Sequence, residues 1–93
     1  MYDRILRQMR ERIRTRQYVM TIHAEEEMTD DNVSVCDVER VILTGSIVER
    51  QKDQDTTEWK YLVEGEGIAG ELAVVVGKIG ITGKLVIVTV YAE

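Results

Sequence analysis

The chain has 93 residues, 31% of them charged and 44% hydrophobic, with a formal net charge of -5. This is the composition of one small folded domain, which excludes a disordered chain and a second core. The acidic balance argues against a nucleic-acid binder judged on the whole chain. A single cysteine, Cys36, excludes an internal disulfide. No run approaches the roughly 20 apolar residues of a membrane span, and no secretory pattern opens the chain. A cytoplasmic protein with no membrane partner is therefore expected.

Charge is unevenly placed. Residues 1–16 carry six arginines against Asp3 and Glu11, whereas residues 21–40 carry seven acids against Arg40 alone. Either one element presents a basic surface, or the first segment pairs with the second. In residues 2–16, Tyr2, Ile5, Leu6, Met9 and Ile13 share one arc at 3.6 residues per turn. Arg4, Arg7, Arg10 and Arg14 share the opposite arc. This predicts a basic amphipathic helix over 1–17, its arginines either solvated or contacting phosphate.

Residues 17–22 read as extended, with Tyr18, Met20 and Ile22 on one side. Thr21 then caps a short second helix that begins near His23 and ends near Asp30-Asp31-Asn32. Its first turn holds Glu25, Glu26 and Glu27, where the helix dipole favours negative charge. Ser34 and Asp37 are spaced as a capping box for a third helix. Val35, Val38, Val41 and Ile42 form its inner face, and Cys36 is expected as a small buried hydrophobe. Gly45 stands where a left-handed helix terminator belongs.

From Ser46 the period becomes two. A strand over 47–51, a turn over 52–55 and a strand over 57–64 follow, with Trp59, Tyr61 and Val63 on one face. Residues 65–70 turn the chain into two β-branched strands, 72–76 and 85–91, joined by a glycine-punctuated connection. The expectation is an α+β domain over 18–93, its helices packed on a four-stranded antiparallel meander. Open sheet edges make strand addition or a homodimer a candidate mode of association.

Little in these residues alone carries chemistry. His23 is the only histidine, so a His–His pair is excluded. It lies one helical turn from Glu27, but two ligands make no metal site, and neither metal nor cofactor is expected. The glycines of 65–70 and 77–83 lack the strand–loop–helix setting of a phosphate loop.

Several motifs together resemble a known family. They are Thr21-Ile22-His23-Ala24-x-Glu26-x-Met28, Val33-Ser34-x-x-Asp37-Val38, Gly45-x-Ile47-Val48-Glu49, Leu72-x-Val74-Val75 and Val88-Thr89-Val90-Tyr91. In this order and spacing they resemble the small bacterial family called domain of unknown function 4258, over residues 18–91. That family in turn looks like a distant relative of the RelE/ParE-type toxin fold.

The resemblance implies a toxin-like protein of a bacterial toxin–antitoxin system, directed at RNA and held by an antitoxin-like partner. Its candidate catalytic residues are His23, Glu49, Thr89 and Tyr91. For metal-independent RNA cleavage, His23 or Glu49 would be the base and Tyr91 the proton donor. Arg50 and Lys60 would offset phosphate charge beside the arginines of the first helix. Two positions depart from the family pattern. Glu27 stands where an arginine is usual and Ala73 where a histidine is usual, which removes a cation and an acid–base group. A non-catalytic protein-interaction module is the alternative reading.

Overall fold

The computed structural model describes residues 2–53 and 55–93. Met1, and Gln54 in the expected 52–55 turn, lie outside the described residues. The chain forms helix α1 (Asp3–Arg14), strand β1 (Tyr18–Met20), helices α2 (Ile22–Asp30) and α3 (Val35–Thr44), then strands β2 (Ser46–Lys52), β3 (Trp59–Glu66), β4 (Leu72–Ile79) and β5 (Leu85–Ala92).

Each helix ends for a local reason. After α1, Arg16 turns left-handed at φ 58°. Its N–H reaches the Ile13 carbonyl at 3.2 Å, and the Gln17 N–H reaches that of Arg12 at 2.8 Å, the paired bonds of a Schellman motif. After α2, Asn32 does the same at φ 56°, with the Val33 N–H on the Met28 carbonyl at 2.8 Å. The expected terminator of α3 behaves otherwise. Gly45 is extended (φ -85°, ψ -165°), because the chain passes directly into β2 instead of turning back.

The capping box of α3 is formed in both directions between Ser34 and Asp37. The Asp37 carboxylate accepts the Ser34 N–H at 2.9 Å and, through its other oxygen, the Ile68 N–H at 2.8 Å. These donors hold its pKa below the usual aspartate range. Stability from this lowered pKa is present above the unfolded aspartate value and is lost as pH falls through the folded value. Asp37→Ala should therefore cost about 1–2 kcal/mol in urea unfolding near pH 7, and less in acid. A deficit that does not shrink with falling pH would refute this role. The face behind the cap starts later than the spacing suggests. Val38, Val41 and Ile42 are fully buried, while Val35 is exposed and so is Cys36, two residues before the first buried position, Val38.

The sheet corrects the expected topology. Its order is β1-β5-β4-β3-β2, and β1 runs parallel to β5, Tyr18 opposite Leu85 and Met20 opposite Ile87. It is thus a five-stranded mixed sheet, not a four-stranded antiparallel one. The cause is the outer edge of β5, whose polar backbone groups need partners. The Leu85 N–H donates to the Gln17 carbonyl at 3.1 Å, and the Ile87 carbonyl accepts the Thr21 N–H at 3.0 Å. Beyond Met20, α2 replaces the strand. Glu27 accepts the Val90 N–H at 3.1 Å and Asp31 accepts the Ala92 N–H at 2.9 Å.

The core lies between the helices and one sheet face, where Met9, Ala24, Val38, Ile42, Val63, Val75, Ile87 and Val90 are all fully buried. Two β-bulges shape the opposite face. The register skips Val48 between Ile47 and Glu49, and skips Val88 between Ile87 and Thr89. Each bulge turns two successive side chains to the same side. Val48 with Glu49, and Val88 with Thr89, therefore share the face that no helix covers.

Candidate functional site

The four expected catalytic residues do not converge. His23, in the first turn of α2, is 68% exposed, with Nε2 3.2 Å from Glu27 Oε1. The same glutamate oxygen holds the Val90 N–H, so the pair stands at the outer edge of β5. Thr89 and Tyr91 lie on the open face of β5, opposite Val76 and Val74. Glu49 is also on the open face, but on the far edge strand, where Gln51 Nε2 donates to it at 2.8 Å.

The pairings Glu49–Leu62, Leu62–Val76 and Val76–Thr89 form one row across the sheet. Three steps of ~4.8 Å put Glu49 about 14 Å from Thr89, far beyond the ~3 Å reach of a shared proton transfer. His23 and Tyr91 are both close to β5, while Glu49 is separate.

The two departures from the family pattern also resolve. Glu27 has a structural task, since its carboxylate closes the sheet edge. Ala73 is 2% exposed and faces the helices, opposite Gly65 and Ala92. With Asp31, Asp37, Gly67 and Ala92 it lines a cavity of about 410 Å³. A histidine there would enter that cavity, on the other side of the sheet from Thr89 and Tyr91.

A larger groove of about 850 Å³ runs between β1, α2 and α3, lined by Tyr18, Met20, Met28, Val33 and Val35 with Arg16 and Glu25 beside them. At its wall the Tyr18 hydroxyl donates to the Glu39 carboxylate. Burial first, then this bond and the negative charge of Glu39, push its pKa up to about 12. The phenol thus stays a neutral donor and cannot serve as a base at neutral pH. Among the described residues, no group of three or more His, Cys, Asp or Glu could hold a metal ion. Nor is any described helix long and apolar enough to cross a membrane.

The cationic residues divide by task. Arg10 donates to the carbonyls of Ile42 (2.9 Å) and Gly45 (2.8 Å), satisfying the C-terminal end of α3. It is therefore committed to the fold. Arg4, Arg7 and Arg14 are exposed on α1. Arg4 and Arg50 come together with Tyr2, Gln8 and Tyr61 around a recess of about 320 Å³. Beside it the Arg50 guanidinium lies 4.0 Å from the centre of the Trp59 ring, and the Lys52 ammonium lies 5.5 Å from it. Tyr2 meets Tyr61 edge-on at 6.0 Å. Lys60, adjacent in sequence to Trp59, points to the opposite face.

Tyr2, Lys52, Trp59 and Tyr61 were not expected at a site. Their signal was the alternation Arg50-x-Lys52 against Trp59-x-Tyr61, which the register Arg50–Tyr61 and Lys52–Trp59 places on one face. No curated protein and no solved structure matches the chain. The model of the family described as Domain of unknown function (DUF4258) matches residues 20–92, from the last residue of β1 to the last of β5, and the chain belongs to that family.

Proposed function

We propose that this is a toxin-like, RNA-directed protein that binds single-stranded RNA through the surface formed by α1, β2 and β3. The toxin-like part rests on the sequence resemblance. The RNA part rests chiefly on Arg50 and Lys52 over Trp59, beside Arg4, Tyr2 and Tyr61. Single strands offer unstacked bases to aromatic faces and phosphates to cations, and this surface supplies both partners. The charge of -5 does not oppose this, because seven acids fall within residues 21–40, on other elements.

The reading is binding without cleavage. His23 is backed by Glu27 on a helix that also bears Glu25, Glu26 and Asp30, and this repels a phosphate. With a labelled oligouridylate, fluorescence anisotropy should show binding that weakens as salt rises. Arg50→Gln with Lys52→Gln should lower affinity about tenfold and flatten the salt slope by about 1.4, ~0.7 for each lost phosphate contact. Lys60→Gln should change neither, and the RNA should stay full-length. No binding at low salt, or equal loss from Lys60→Gln, would contradict the proposal.

A further inference from the structure

The face of the sheet that no helix covers is apolar where an ordinary solvated face would be polar. Its middle is the row Leu62–Val76, where neighbouring side chains already leave Val74 and Val76 only 2% and 5% exposed, and around it Val19, Val48, Leu72 and Tyr91 remain 46%, 53%, 47% and 36% exposed. Both bulges add a valine to this face. Five strands at ~4.8 Å and about seven residues at ~3.4 Å span roughly 20 by 25 Å. That footprint, about 500 Å² with the three-residue β1 included, is smaller than the ~800 Å² per partner of a standard interface and suits a weak dimer.

Charge on this face is sorted by end. Glu64 and Glu66 of β3 lie at the end where β4 begins and β5 finishes. Glu93 joins them there, its N–H on the Leu72 carbonyl at 3.0 Å. A hydrogen bond to Glu64, then burial and the Glu64 charge, raise the pKa of its carboxyl, so the two carboxyls stand side by side at this end. The opposite end carries Lys60, Lys78 and Lys84. Lys78 is already paired with Asp53 at 3.5 Å and Glu58 at 3.3 Å. Among the described residues, Lys60 forms no ion pair.

We propose that a second copy of this chain covers the open face, sheet on sheet, about a two-fold axis running across the strands. Such an axis lies along the Leu62–Val76 row and reverses the strand direction, so the acidic end of each subunit meets the basic end of the other. Glu64 and Lys60 sit two residues to either side of Leu62 on the same strand. Each Glu64 then faces the partner's Lys60, and the interface is self-complementary. Stacked sheets ~10 Å apart leave room for the valine and leucine side chains between them. Glu49, at the β2 end of the row, marks the solvated rim. The RNA surface is on the other side of β2 and β3, so the two proposals stand or fall separately.

Sedimentation equilibrium from about 1 to 200 μM tests this, a range that covers the weak association expected of an interface below standard size. The wild type should dimerise. Glu64→Lys alone and Lys60→Glu alone should each weaken the dimer about tenfold or more, because like charges then face one another twice. An equimolar mixture of the two variants should recover association as a heterodimer, which also proves both variants folded. A wild type that is monomeric throughout would overturn the proposal. So would a dimer indifferent to either reversal, or a mixture that fails to recover.

Discussion

Gly45→Ala is expected to cost the fold about 3 kcal/mol or more, at the upper end of what overpacking usually does. A Cβ at this position would stand 2.4 Å from the Glu64 carbonyl oxygen and 2.5 Å from that of Val41. Neither oxygen can retreat cheaply. Val41 O accepts the Gly45 N–H at 2.7 Å, and Glu64 is fixed opposite Ser46 in the sheet. Gly65 presses from the other strand, since a Cβ there would be 3.0 Å from the Gly45 Cα. Relief requires α3 to lift from β3, which also strains the bonds from Arg10 to Ile42 and Gly45. Urea unfolding followed by circular dichroism measures the cost, and a loss under 1 kcal/mol would show that the junction yields.

Ile87→Ala should cost a comparable 3–4 kcal/mol, by loss of buried methyl groups and by the cavity left behind. Ile87 is fully buried. It sits opposite both Met20 and Gly77, and its carbonyl takes the Thr21 N–H. The Val88 bulge begins at the next residue, so the backbone there has little freedom to close a void. Ile81, 97% exposed in the β4–β5 turn, is the control. Ile81→Ala should stay within about 0.5 kcal/mol. Equal effects at the two sites would mean that β5 is not the centre of the core.

The contrast between these isoleucines shows what the sequence made legible. The helices were readable because each apolar arc repeats locally, and the caps Thr21 and Ser34 were readable because their bonds close within three residues. The parallel pairing of β1 with β5 was not, since it joins segments far apart in the chain and leaves no local period. Helix ends misled in one direction. A glycine suggested a left-handed terminator, but Arg16 and Asn32 take that role while Gly45 is needed for close approach. The bulges mattered most for the site. Strict alternation from Ile87 would send Thr89 to the core, whereas the extra Val88 turns it to the open face. The basic character of Arg4 and Arg50 was visible in the sequence, but their aromatic company depended on the β2–β3 register, which no single residue announces.

Trp59 is the only tryptophan, so its emission reports directly on the proposed RNA surface. Titrating the protein with oligouridylate at low salt should quench that emission saturably, because a base must stack against the Trp59–Arg50 pair. Raising the salt should restore it as phosphate contacts are lost. Emission that stays constant while anisotropy reports bound RNA would place the RNA elsewhere on the molecule and contradict this account.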